Sequence, residues 1–129
     1  SPHRDAAFEA CRKAINENVL TSAHDCSDGG LAVGLAECCI AGQIGFHSTF
    51  HISGRWDSAL FGENQSRIIV SLPPRNMPDL KLICHNERIP WTTLGHVGKD
   101  TLIIDELLHV SVKELATAWS QGLRLASTI

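Results

Sequence analysis

The stretch of this sequence with the clearest chemical potential is "HDCSDGGLAVGLAE", in which polar residues and glycines precede an apolar run. A helix that begins near Gly29 offers unpaired backbone N–H groups and a positive dipole end to an anion. With Gly29 and Gly30 there, a phosphate can approach the backbone closely. Asp25 and Asp28 would repel a bare phosphate, but they suit Mg²⁺, which binds carboxylate and phosphate oxygens together. The pattern leaves two interpretations open: a magnesium–phosphate site, or a helix start capped by Ser27 or Asp28.

Two other sets of polar residues indicate a function less specifically. His47 and His51 share one face of a predicted strand, roughly 13 Å apart at ~3.3 Å per residue, so they cannot bind one metal ion together. Both are expected to face solvent or an interface. The stretch "LFGENQSR" is either a polar binding edge or a solvated loop, with four polar candidates: Glu63, Gln65, Ser66 and Arg67. No Walker-type loop, nucleophile elbow or catalytic triad pattern accompanies them.

Composition narrows the class of protein. The 129 residues suit one domain, and 43% hydrophobic residues can build a core. The formal net charge is −3 without a basic stripe, which argues against nucleic-acid binding. No apolar run is long enough to span a membrane, and the first residues lack a signal-peptide pattern, so we expect a cytoplasmic protein. Five cysteines without regular spacing are expected to be free thiols in the core.

Hydrophobic periodicity predicts the elements that must position these residues. A helix over residues 5–18 places Phe8, Cys11 and Ile15 on one face, and Asn18 ends it. "VLTSAHDCS" predicts a short buried strand. "GGLAVGLAECCIAG" predicts a helix that is covered on most sides and ends at Gly42.

The second half of the chain predicts a sheet with helices packed on it. "IGFHSTFHI" alternates as a half-buried strand, and "RIIVSLP" reads as a buried strand. A helix follows in "RNMPDLKLICHNE", with Met77, Leu80 and Cys84 on one face. "WTTLGHV" and "TLIID" around "GKD" predict a hairpin. "SVKELATAWSQG" predicts a helix with a Ser111–Glu114 capping box, an apolar face at Leu115 and Trp119, and an end at Gly122. The simplest architecture is α+β, with one mixed sheet.

Several of these stretches occur together in an order that resembles a known family. "SAHDCSDGGLAVGLAECCIAGQIG", "LFGENQSRIIVSLP", "IPWTTLGHVG" and "VSVKELATAW" are similar to the C-terminal domain of the phosphoribosylformylglycinamidine synthase family. This family belongs to the aminoimidazole ribonucleotide synthetase-like superfamily. The resemblance covers residues 7–121, and it implies that residues 1–129 are a single domain from a larger enzyme.

The resemblance implies a ligase of purine synthesis. The family uses ATP and Mg²⁺ to convert formylglycinamide ribonucleotide to the amidine with ammonia from glutamine. Implied partners are the remaining synthase domains, a glutaminase subunit and a small accessory subunit. Because the family's catalytic histidine and most substrate contacts lie in domains absent from this chain, no catalytic residue is expected here and the isolated chain should be inactive.

The resemblance assigns a functional role to only a few residues of this sequence. The resemblance assigns Asp25 to Mg²⁺, with Asp28 as a weaker metal candidate, and Ser27 to nucleotide; Gly29 and Gly30 complete the predicted nucleotide site. One alternative is a scaffold or dimerisation module without a ligand, since an uncovered apolar sheet face would favour a homodimer. The other alternative is another superfamily member, such as a selenophosphate synthetase or a thiamine-monophosphate kinase.

Overall fold

The computed structural model describes residues 2–25, 30–50 and 67–121. Helices and strands alternate along the chain in this order: α1 (Pro2–Asn16), β1 (Ser22–Asp25), α2 (Gly30–Gly42), β2 (Phe46–Ser48), β3 (Ile68–Ser71), a 3₁₀ turn (Pro74–Asn76), α3 (Met77–Glu87), β4 (Gly95–Val97), β5 (Thr101–Ile104), β6 (Leu108–Ser111) and α4 (Val112–Ser120). The described residues form two compact units. The first unit holds residues 2–25 and 67–92, and the second holds residues 30–50 and 93–121.

In the first unit, two helices pack together beside a two-stranded antiparallel sheet of β1 and β3. Its core is centred on Ala14, Val19 and Leu20, and half-buried apolar side chains surround them: Cys11, Val70, Leu72, Leu80 and Ile83. Asn76 donates a hydrogen bond from Nδ2 to the carbonyl oxygen of Val19 at 3.1 Å, which ties the 3₁₀ turn to the segment after α1.

The buried face of α1 agrees with the sequence prediction at Cys11, which packs against the core, and differs from it at Phe8 and Ile15. Phe8 is 38% exposed and Ile15 is 42% exposed, whereas Ala10 and Ala14 are buried. The buried positions of α1 are therefore small residues, and Ala14 packs in the core with Leu80 and Ile83 of α3. Large apolar residues suggested a different face because periodicity alone does not show where the neighbouring helix lies.

The second unit contains a four-stranded mixed sheet in the order β4–β2–β5–β6. Strand β2 pairs antiparallel with β4 and parallel with β5, and β5 pairs antiparallel with β6. The structure confirms the α+β class and the mixed sheet. The prediction of only one sheet is wrong, because β1 and β3 form a separate sheet among the described residues.

The predicted hairpin between "WTTLGHV" and "TLIID" is also wrong, because β2 lies between these two strands. The short link after Val97 crosses the start of β2, where the Gly45 N–H donates to the carbonyl of Lys99 at 2.9 Å. In return, the Gly98 N–H donates to the carbonyl of Gly45 at 2.9 Å. A Cβ on Gly45 would lie 2.5 Å from both the nitrogen and the oxygen of Thr101, so only glycine permits this crossing. The hairpin that does form joins β5 to β6, a strand that the sequence did not predict.

The core of the second unit lies between its sheet and the helices α2 and α4. Leu102 and Ile104 of β5 are 0% exposed, and Phe46 of β2 is 7% exposed. The alternation predicted for β2 is confirmed at Phe46 and its neighbour His47, which is only half-buried on the opposite face. Helix α2 is covered on most sides, as predicted; its buried residues are Gly30, Leu31, Ala32, Val33, Gly34, Leu35, Ala36 and Cys39.

Three helices end with a residue in the left-handed conformation, and none of these residues is glycine. Asn18 (φ 62°), Gln43 (φ 52°) and Arg88 (φ 56°) follow α1, α2 and α3. In each case the next residue, an apolar one, donates its N–H to a carbonyl in the last turn. At the start of α4, the Ser111 side chain accepts a hydrogen bond from the Glu114 N–H at 3.1 Å, which confirms the predicted N-cap.

The thiols that the structure describes in the core agree with the sequence prediction, whereas Cys26 lies outside the described residues. Cys11, Cys39 and Cys84 are free, and Cys39 and Cys84 are buried. Burial, with a smaller contribution from Cys38, raises the pKa of the Cys39 thiol to about 11. Such thiols are weak nucleophiles, so they pack as small apolar groups. None of the helices within the described residues is long and apolar enough to cross a membrane.

Candidate functional site

Two of the stretches that carry the family resemblance each contribute described residues to one end of the β1–β3 sheet. Strand β1 ends at Asp25, and β3 begins at Ile68, which pairs with Asp25 in the antiparallel register. Arg67 comes directly before Ile68 and is the last residue of "LFGENQSR". Asp25 of the first stretch and Arg67 of the second therefore lie at the same end of this sheet.

Asp25, the predicted magnesium ligand, is exposed at the rim of the first unit. Its register places it on the same face of the sheet as Ile68 and Val70, because partners in a ladder share a face. Val70 packs against the core of the first unit, so Asp25 lies at the end of the helix-covered face. The carboxylate is thus on a side chain that solvent and a hydrated cation can reach.

His24 and Arg67 belong to the opposite face of the same strand pair. His24 pairs with Ile69, and Arg67 lies two residues before Ile69, which makes His24 and Arg67 diagonal neighbours across the ladder. His24 is half-buried and Arg67 is exposed. The end of this sheet therefore presents a cationic guanidinium and an imidazole on one face and a carboxylate on the other.

Gly30 is placed as the sequence predicts, at the first position of α2 in the second unit. It is buried and has φ 83°, a backbone conformation that favours glycine. Its position at a helix start agrees with both interpretations of the stretch, the phosphate site and the simple cap. Ser27, Asp28 and Gly29 lie outside the described residues, so their assignments stay predictions.

Arg67 was not among the predicted site residues, although the sequence contained a signal for it. It ends the polar stretch that was read as either a binding edge or a solvated loop. Its guanidinium is a planar, permanently charged group that binds phosphate oxygens in a bidentate manner. What the sequence did not reveal is that β3 is the partner of β1.

The described residues contain no group of three or more His, Cys, Asp or Glu side chains arranged to hold a metal ion. Mg²⁺ does not require one, because it usually keeps several waters and binds through one or two carboxylates together with substrate phosphates. The exposed carboxylate of Asp25 fits that mode of binding. Tight binding of a transition metal would need a denser set of ligands than this part of the chain offers.

Comparison with known proteins defines the class of this domain. Residues 3–105 match the family model described as "AIR synthase related protein, C-terminal domain". Because that match covers most of the chain, the chain belongs to this family, and the predicted α+β fold of the family is confirmed.

Two curated relatives of this chain are both named "Phosphoribosylformylglycinamidine synthase subunit PurL". The protein from Anaeromyxobacter sp. (strain Fw109-5) is 44% identical over 128 residues, which cover 92% of this chain and 17% of the relative. The protein from Thermosynechococcus vestitus is 43% identical over 126 residues, which cover 88% of this chain and 16% of the relative. The chain therefore spans about a sixth of the length of the relatives that it matches.

Proposed function

We propose that this chain is the C-terminal domain of a phosphoribosylformylglycinamidine synthase of purine biosynthesis. The whole enzyme would be a ligase that forms the amidine of formylglycinamide ribonucleotide from ATP and ammonia derived from glutamine. The structural observation that supports this best is the pairing of Asp25 with Ile68, which joins a residue of one synthase-like stretch to a residue of another. The names of the similar proteins support the same reaction.

Within that enzyme, the proposed role of the domain is to help hold Mg²⁺ and a nucleotide. Asp25 would bind the metal ion, with Asp28 as a weaker candidate. Ser27, Gly29 and Gly30 would contact the nucleotide, the glycines through backbone N–H groups at the helix start. When bound, Mg²⁺ would neutralise phosphate charge beside these residues. Arg67 lies at the same sheet end but on the face opposite to Asp25, so it is not included in this site.

Calorimetry with the full chain tests this role directly. Mg-ADP should bind the unchanged chain, and Asp25→Asn should weaken binding by about tenfold or more, because the substitution removes the ligand charge. Asp79→Asn is the matched control, since Asp79 is an equally exposed carboxylate in the first turn of α3. Equal binding by both variants would contradict the assignment of Asp25.

A second candidate function is a scaffold without a ligand. In that case Mg-ADP gives no heat of binding with the unchanged chain, and Asp25→Asn has no effect.

The activity of the whole synthase is a separate proposal. We infer that the isolated chain, a single domain of a longer cytoplasmic enzyme, needs the remaining synthase domains, a glutaminase subunit and a small accessory subunit. Alone it should show no ammonia-dependent turnover of formylglycinamide ribonucleotide and ATP. Turnover by this chain would refute the inference. Sedimentation of the chain over a range of concentrations tests the proposed homodimer independently.

A further inference from the structure

A wide groove of about 870 Å³ lies in the first unit, at the C-terminal end of α3 and along the segment that follows it. Basic side chains, Lys81, His85 and Arg88, line one part of it, and apolar side chains, Ile89, Pro90 and Trp91, line another. None of these residues belongs to the sheet end that carries Asp25. The groove is thus a separate surface with its own chemistry.

No salt bridge joins Lys81 or Arg88 to a carboxylate among the described residues. Lys81 instead places its Nζ 5.7 Å from the centroid of the Trp91 ring, a cation–π contact. The chain as a whole carries a formal net charge of −3, so this basic groove runs against the overall charge.

The backbone holds Arg88 at the groove in an uncommon conformation. Arg88 is left-handed, with φ 56° and ψ 44°, at a position where glycine is the usual residue. Its N–H donates to carbonyls of the last turn of α3, and the Ile89 N–H donates to the Cys84 carbonyl at 2.9 Å. Any residue with a β-carbon is less favourable than glycine in this conformation. Arginine at this position nevertheless places a guanidinium at the groove.

The aromatic part of the groove resembles the centre of a protein interface. Trp91, which lines the groove, is 44% exposed. Trp and Arg are the residues that most often dominate binding energy at protein interfaces. The groove is also open along its length, whereas small-molecule sites enclose most of their ligand.

We propose that this groove docks an acidic segment of a protein partner, with carboxylates on Lys81 and Arg88 and an apolar side chain on Trp91. Charge complementarity selects the acidic partner, because a basic or neutral segment would leave both cations without a counter-ion. The proposal is independent of nucleotide binding at Asp25.

Fluorescence anisotropy with the full chain tests the proposal. The probe is a fluorescein-labelled peptide of about twelve residues in which Glu and Leu alternate, and a second peptide replaces every Glu with Lys. We expect the acidic peptide to bind and the basic peptide not to bind. The double variant Lys81→Gln/Arg88→Gln should weaken binding by about tenfold or more, since it removes two charge-assisted contacts. The double variant Lys13→Gln/Lys99→Gln removes the same charge elsewhere and should change the affinity less than about twofold.

A second measurement does not depend on the folding of any charge variant. The indole N–H resonance of Trp91, identified with Trp91→Phe among the three tryptophans, should shift when the acidic peptide is added to the unchanged chain. Asp25→Asn should leave both readouts unchanged, which separates this proposal from the proposed function. Equal weakening by the two double variants, no peptide binding, or tighter binding of a single-stranded oligonucleotide of similar length would overturn the proposal.

Discussion

The two units of this chain bury their sheets to different extents. In the second unit, Leu102 and Ile104 of β5 are 0% exposed. In the first unit, every residue of β1 and β3 keeps part of its surface exposed. The sheet that contains Asp25 is therefore the less buried one. The most buried strand residues lie in the sheet of the second unit, which contains none of the predicted magnesium or nucleotide residues. Substitutions at Asp25 should consequently report on binding, whereas substitutions in β5 should report on stability.

The largest expected effect is the loss of a buried side chain from β5. Leu102→Ala should lower the free energy of unfolding by about 2–5 kcal/mol, because it removes buried apolar contacts and leaves a cavity. Ile69→Ala in the half-buried strand β3 should cost clearly less. Urea denaturation of both variants measures the difference, and equal costs would break the comparison between the two sheets.

A β-carbon at the strand crossing should be the next most costly change. Gly45→Ala would place its Cβ 2.5 Å from backbone atoms of Thr101, so the sheet must shift, at a cost of about 1–3 kcal/mol. Gly42→Ala is the control, since its Cβ would meet only the Cγ2 of Ile44 at 3.3 Å. If thermal unfolding shows the two variants to be equally stable, β2 does not lie where the structure places it.

Raising the pH should destabilise the core of the second unit through Cys39. Its folded-state pKa is raised to about 11, so the unfolded chain loses this proton first, near pH 9. The stabilisation is complete below pH 9 and is lost as the pH rises towards 11, by about 1–2 kcal/mol. Cys39→Ala should flatten this part of the stability profile. A profile that remains as steep in the variant would refute the role of Cys39.

Ser111→Ala should lower the free energy of unfolding by about 1 kcal/mol. The substitution removes the cap of α4, because the Glu114 N–H loses its acceptor. In the first unit, Glu9→Gln breaks the exposed ion pair with Arg12 and should cost less than about 0.5 kcal/mol. Chemical denaturation should rank the two variants in this order. The reverse order would mean that the surface ion pair is worth more than its exposure suggests.

A gain in stability, rather than a loss, is expected at the left-handed helix ends. Gln43→Gly should stabilise the chain by up to about 1 kcal/mol, because glycine adopts this conformation without a Cβ penalty. Asn18→Gly should gain less, since asparagine tolerates the left-handed region better than glutamine. Melting temperatures of the two variants test the order. A loss of stability in Gln43→Gly would show that its side chain makes a contact that outweighs the strain.

Much of the local structure could be predicted from the sequence. The apolar run after Gly30 indicates a covered helix, and the glycine near its end indicates where it stops; both are confirmed. The Ser111 cap was also readable, because a capping side chain and its N–H partner are only three residues apart. The face of α1 was only partly readable, because Ala14 is buried by packing with Leu80 and Ile83 of α3, a segment far along the chain.

The candidate site, like the fold, could be predicted from the sequence only in part. The types and spacing of Asp25, Ser27, Asp28 and the glycines were enough to predict magnesium and nucleotide chemistry by resemblance to a family. The sequence did not show that Arg67 lies beside the same sheet end. Nor did it show the basic groove at the end of α3, whose charges come from separate positions along the helix and the following loop.

By itself, the sequence determined the helices, most of the strands, the thiol chemistry and the family, since all of these follow from side chains close together along the chain. Only the tertiary structure decided that β1 pairs with β3 and that β2 lies between β4 and β5. Such pairings depend on backbone hydrogen bonds, and every residue except proline offers the same donor and acceptor. Which strands meet is therefore settled by how distant parts of the chain pack, and this packing brings Asp25 and Arg67 to one end of a sheet.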